Sequence, residues 1–82
     1  MGKIIDVTAV MSGIFYRQPS PEEPVYAEVG MEVKKKQVLG LLETMKVFQK
    51  IKSPVKGKVI EIMAENETPL KDGDVIFRVE KG

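Results

Sequence analysis

Val33-Lys34-Lys35-Lys36-Gln37-Val38-Leu39-Gly40-Leu41-Leu42-Glu43 and Leu70-Lys71-Asp72-Gly73-Asp74-Val75-Ile76-Phe77-Arg78-Val79-Glu80 follow one pattern at an offset of 37. Each sets an apolar residue before a charged turn of four residues, then a largely apolar strand ending in glutamate. Upstream, Ser12-Gly13-Ile14 matches Lys56-Gly57-Lys58 at an offset of 44, so the first half holds seven extra residues between its matching blocks. The surplus falls in Arg17-Gln18-Pro19-Ser20-Pro21-Glu22-Glu23-Pro24, which contains three of the five prolines. Proline cannot donate to a strand ladder and fixes φ, so this insertion at about 17–24 has to leave the sheet as a stiff, protruding thumb.

The apolar residues elsewhere come in short β-branched and aromatic runs separated by Gly, Pro and charged clusters, with no sustained helical spacing. The chain therefore reads as all-β. Expected strands are Ile5 to Ala9, Gly13 to Tyr16, Val25 to Glu28, Gln37 to Glu43, Val47 to Lys52, Lys58 to Met63 and Val75 to Glu80. Turn signals at Val29-Gly30, Ser53-Pro54 and Asp72-Gly73 fall between them. Two similar halves, each too small to bury an apolar face alone, should pack sheet against sheet. That predicts a flattened β-barrel or sandwich of two pseudo-twofold related halves, a barrel-sandwich hybrid. One local rule is broken, because Lys36 stands where its repeat partner is Gly73. If the two turns share a geometry with φ > 0, Lys36 is strained by roughly 1 kcal/mol.

Length and composition narrow the function. Eighty-two residues make one domain, 1–82, and leave no room for a catalytic cleft between domains. With neither Cys nor His, the chain lacks the common transition-metal ligands, disulfides and the Ser-His and Cys-His nucleophile systems, so no metal site and no catalytic residue is expected. Thirteen basic against twelve acidic residues argue against a nucleic acid or an acidic membrane as the main partner. Lys34-Lys35-Lys36 is read as a solvated turn. No apolar run spans a bilayer and the start lacks a signal-peptide core, so a soluble cytoplasmic protein is the expectation. Gly2 does not indicate myristoylation, since Asp6 stands where that motif takes Ser or Thr.

Between Glu43 and Val47 only Thr44, Met45 and Lys46 remain, so the chain must reverse in a tight hairpin with Lys46 at its tip, between the two repeat halves. Met45 is an apolar residue at an exposed turn, where a flexible thioether suits contact with a partner.

Glu43-Thr44-Met45-Lys46-Val47 resembles the biotinyl attachment signature, within the biotinyl/lipoyl domain family, at every position. Gly13-Ile14-Phe15-Tyr16-Arg17 leading into Pro19-Ser20-Pro21, then Glu28-Val29-Gly30, is similar to the thumb-bearing biotin carboxyl carriers of acetyl-CoA carboxylase, so the resemblance covers nearly the whole chain. It implies covalent biotin on Lys46 as N6-biotinyllysine, attached by a biotin protein ligase through an acyl adenylate. Fewer than roughly one lysine in a thousand is neutral at pH 7, so the ligase complex must assist deprotonation. The implied role is that of a non-catalytic carrier, moving carboxyl groups from a biotin carboxylase to a carboxyltransferase acting on acetyl-CoA, the step that makes malonyl-CoA for fatty acid synthesis. Tethering supplies a high local concentration without tight binding. Glu43, Thr44, Met45 and Val47 become flanking recognition residues, although Glu43 has a repeat partner in Glu80 and could equally be structural. The thumb residues Pro19, Ser20, Pro21, Glu22 and Glu23 would contact the cofactor ring or restrict its motion, the alternative being a rigid spacer.

Competing readings are a carrier for another biotin-dependent carboxylase or decarboxylase, and a lipoyl carrier, which usually lacks Met directly before the lysine. From a different class, an oligonucleotide-binding barrel would stack bases on Phe15, Tyr16, Tyr26, Phe48 or Phe77. Against it, Phe48 and Phe77 lie in expected strands and are assigned to the core.

Overall fold

Alternating side-chain burial marks eight short strands among the described residues: β1 (Ile4–Thr8), β2 (Gly13–Tyr16), β3 (Glu32–Val33), β4 (Val38–Glu43), β5 (Phe48–Lys52), β6 (Gly57–Ile62), β7 (Thr68–Leu70) and β8 (Val75–Lys81). The computed structural model describes residues 2–45 and 47–82. Lys46 lies outside the described residues. All strand pairs are antiparallel, and the two four-stranded sheets have the orders β1-β8-β6-β3 and β5-β4-β2-β7. Exchanging β1 with β5, β2 with β6, β3 with β7 and β4 with β8 turns one order into the other. The expected repeat is thus a repeat of the fold.

The same exchange holds in fine detail. β1 and β5 share one sequence of exposed and buried positions, as do β4 and β8 over their first six residues. Lys36 N–H donates to Ser53 O at 2.8 Å, and its counterpart Gly73 N–H donates to Ala9 O at 2.8 Å. Gly30 N–H donates to Val59 O at 2.7 Å, and Glu67 N–H to Phe15 O at 2.6 Å. These four donors are the left-handed positions among the described residues, with φ of 73° at Lys36, 92° at Gly73, 94° at Gly30 and 62° at Glu67. The geometry of each turn is kept even where only one copy has glycine. A Cβ built on Gly73 meets nothing within 4 Å, so Gly73→Ala carries a backbone cost alone, expected at about 1–2 kcal/mol by urea unfolding. Lys36→Gly should move the other way, gaining less than about 1 kcal/mol because added chain entropy offsets part of the relief.

Between the sheets, Phe15, Leu39, Leu42, Val59, Ile76, Phe77 and Val79 are almost wholly buried. Here the symmetry is broken by volume. Phe15 of one sheet meets Phe77 of the other edge-on, with ring centroids 5.7 Å apart and planes at 77°. The positions related to them are Val59 and Gly40. A Cβ on Gly40 would lie 2.7 Å from the Phe15 ring, so the large residue of one half fills the space left by the small residue of the other.

Three sequence expectations need correction. Val25 to Glu28 is not a strand: Tyr26 N–H donates to Arg17 O and Arg17 Nη2 to Ala27 O, so the segment crosses the base of a loop while Ala27 plugs the core. In its place β3 and β7, two and three residues long, close the far edges of the sheets, and Pro69 is accommodated because β7 is an edge strand. Phe48 is 58% exposed, whereas Phe77 is fully buried as expected. On β5 the residues Phe48, Lys50 and Lys52 share the outward parity, which assigns Phe48 to the surface.

Candidate functional site

β4 and β5 are joined by the four-residue connection that links the halves, and Glu43 opposite Phe48 is the last strand pair before the turn. Thr44 N–H donates to Val47 O at 2.9 Å and Thr44 Oγ1 donates to the same oxygen at 3.1 Å. That double closure leaves two residues, Met45 and Lys46, to span the turn. Met45 is fully exposed and Val47 about half exposed, so both flanks of position 46 are open to an approaching partner.

Beneath the turn lies a contact that sequence reasoning missed. Tyr16 Oη donates to Glu43 Oε1 at 2.9 Å, and the Tyr16 ring packs on Phe48 with centroids 6.0 Å apart. The two strands of the hairpin are thereby fastened to β2 through one phenol. The equivalent positions in the other half, Ile60, Glu80 and Ile4, cannot make this bond. The carboxylate of Glu43, first by hydrogen bonding and then with burial, raises the Tyr16 pKa above 10.0. The folded state therefore holds the phenolic proton more tightly than the unfolded chain. Its contribution is fully present below the ordinary tyrosine range and is lost as pH climbs through the raised value. In a Tyr26→Phe background, where only Tyr16 titrates, tyrosinate absorbance should rise at lower pH once Glu43→Gln is added.

The Arg17–Pro24 segment contains no strand and is tied largely to itself. Gln18 Nε2 donates to Ser20 O at 2.8 Å and Glu23 O at 2.7 Å, Ser20 Oγ to Glu23 Oε2 at 3.1 Å, and Glu23 N–H to Ser20 O at 3.1 Å. Its root is anchored by Arg17 N–H donating to Asn66 Oδ1 at 2.8 Å. Gln18, Pro19, Ser20 and Pro21 line a groove of about 210 Å³ together with Tyr16, Asn66 and Glu67, while Glu22 and Glu23 are exposed. Tyr16 thus touches both the base of the hairpin, through Glu43, and the groove beside the proline loop.

The exchange of halves also relates the hairpin turn to the two chain ends. Lys81 N–H donates to Lys3 O at 2.8 Å, the counterpart of Thr44 N–H donating to Val47 O. The turn is a closed copy of an open junction.

The chain matches the family described as biotin-requiring enzyme over residues 5–79. It is 36% identical to the biotin carboxyl carrier protein of acetyl-CoA carboxylase from Nostoc sp., over 94% of this chain and 42% of the relative. It is 40% identical to the biotin carboxyl carrier protein of acetyl-CoA carboxylase 1, chloroplastic, from Arabidopsis thaliana, over 90% of this chain and 26% of the relative. The chain therefore spans less than half the length of these relatives. Among solved structures it superposes on a single-chain, multi-domain long-chain acyl-CoA carboxylase with a TM-score of 0.82 at 15% identity, over 96% of this chain and 7% of the other. On Kluyveromyces lactis urea carboxylase the TM-score is 0.79 at 20% identity, over 96% and 6%. Both superpositions bear on the fold alone.

Proposed function

Because the chain belongs to the biotin-requiring family of biotinyl and lipoyl domains, we propose that it is a biotin carboxyl carrier, with biotin in amide linkage to Lys46. The observation that carries this reading is the turn closed twice on Val47 O by Thr44, which leaves Met45 and Lys46 as its only spanning residues. When bound, biotin supplies a ureido nitrogen that accepts and releases a carboxyl group. The protein's own residues do the rest. Thr44 fixes the turn, Met45 and Val47 offer apolar contact to whichever enzyme is engaged, and Glu43 with Tyr16 holds the hairpin on the sheet.

The partners in this proposal are a biotin protein ligase, a biotin carboxylase and a carboxyltransferase, and the parent complex is acetyl-CoA carboxylase. The relatives' names and the proline insertion support that choice over other biotin-dependent enzymes. A cytoplasmic location belongs to the same proposal; among the described residues no helix is long and apolar enough to cross a membrane. The Pro19–Glu23 loop is assigned to restraining the tethered group, since its internal bonds keep it stiff and its groove adjoins Tyr16.

Mass analysis after incubation with biotin ligase, ATP and biotin tests the assignment. One biotinyl adduct, mapped to the peptide containing Lys46, is expected. An adduct formed only with a lipoyl ligase would replace biotin by lipoate, and no adduct with either would sink the carrier reading. Deleting the seven-residue surplus tests the loop: unchanged carboxylation and transfer rates would reduce it to a spacer.

A further inference from the structure

A net charge of +1 conceals a strong segregation of charge. The turn Lys34-Lys35-Lys36 lies at the end of the β4–β5 ladder away from the hairpin, where Lys36 N–H meets Ser53 O and Val38 pairs with Lys52. Pairing of Val33 with Gly57 brings Lys34 beside Lys56. Lys81 pairs with Gly57, and its N–H donates to Lys3 O, which extends the same face to both chain ends. These seven lysines are exposed, and none forms an ion pair among the described residues, where Arg78 with Asp6 and Glu61 makes the salt bridges.

The acidic residues of this end are Glu32 and Glu80, and both lie across from Lys58 in the ladders, which offsets them in part. Eight lysines and two glutamates therefore share one end, leaving five basic and ten acidic residues for everything else. The exchange of halves sharpens the contrast. The turn equivalent to Lys34-Lys35-Lys36-Gln37 is Lys71-Asp72-Gly73-Asp74, which follows β7 where Leu70 pairs with Gly13, at the hairpin end. One backbone shape is basic at one end of the domain and acidic at the other. A groove of about 360 Å³ lies at this end, lined by Lys56, Lys58 and Lys81 together with Glu32 and Glu80, and by Gly2, Gly57 and Gly82.

We propose that this basic end, opposite the hairpin, docks a carboxylate-rich segment of a partner protein, and that it does so whether or not Lys46 is modified. The favoured ligand is acidic peptide because exposed lysines without ion-pair partners complement carboxylates, while Phe15 and Phe77, buried in the core, are unavailable for base stacking. Lysine rather than arginine at every position gives hydrated point charges, which favour fast, salt-sensitive and readily broken contacts.

The test titrates the intact chain with a poly-glutamate peptide of about ten residues in buffer of low ionic strength, following backbone amide shifts. Expected are shifts confined to residues 34–36, 52–57 and 81–82, with Kd rising at least about tenfold in a Lys34→Glu/Lys35→Glu/Lys56→Glu variant and less in the matching Gln variant. Asp72→Asn/Asp74→Asn should leave Kd unchanged. Absence of binding, or shifts centred on the hairpin, would overturn the proposal. So would tighter binding to a thymidine oligonucleotide, which would make the surface a nucleic-acid site, or to phosphatidylserine vesicles, which would make it a membrane site.

Discussion

Lys46→Arg is expected to abolish labelling by biotin ligase, with the rate falling more than about a thousandfold and no adduct detectable by mass. The substitution keeps length and positive charge, so the turn held by Thr44 and Val47 is not expected to change. What it removes is a nucleophile. An ammonium can lose its proton within the ligase complex, whereas a guanidinium stays protonated at any pH the protein survives and offers no lone pair to an activated carboxyl group. Ten other lysines remain as internal controls, among them Lys50 and Lys52 on the outward face of β5. Residual labelling at Lys50 would mean that the ligase selects nearby amines rather than the residue between Met45 and Val47. Labelling undiminished in the variant would overturn the site.

Phe77→Ala carries the largest expected loss of stability. Phe77 is fully buried on β8, flanked across its ladders by Val7 of β1 and Ile62 of β6, and meets Phe15 of the opposite sheet edge-on. Removing a buried phenyl ring costs about 3–5 kcal/mol through lost transfer energy and the cavity left behind. Collapse cannot relieve much of this, because the equivalent place in the other half is already filled by the Phe15 ring over Gly40. A domain of this length has a total stability of roughly 4–12 kcal/mol. Calorimetry should therefore show Tm lowered by more than about 12 °C, or no folded state at all. Phe77→Leu, which keeps much of the volume, should lose no more than about half as much. Equal losses for Leu and Ala would mean that ring geometry, and not volume, is what the core requires.

The repeat and the hairpin were legible because both leave a trace in residue type. Turn glycines, strand-end glutamates and alternating apolar residues recur at fixed offsets, and the strained position of Lys36 followed from aligning it with Gly73. The two shortest strands carried no readable alternation, since two or three residues do not make a period. Val25 to Glu28 has strand-like composition, yet hydrogen bonds from Tyr26 N–H and Arg17 decide its path, and those depend on tertiary neighbours. Phe48 was misassigned by residue type alone, although Lys50 and Lys52 at the same parity already indicated its face. Glu67 at positive φ could have been found by extending the offset of 37 to Gly30. The Tyr16 bond to Glu43 was beyond reach, because it joins side chains 27 residues apart whose approach depends on the pairing of β2 with β4.

The equivalence between the closed turn at Thr44–Val47 and the open junction at Lys3–Lys81 has a mechanical consequence. Any polypeptide continuing from those two residues would enter and leave side by side, so the domain would hang from a single pivot. Torque applied there would be resisted by both sheets together, because β1 and β8 belong to one sheet while the core bonds it to the other. On the proposed carrier role, the chain would act as a stiff boom, 38 Å in its longest dimension, mounted at the end away from the hairpin.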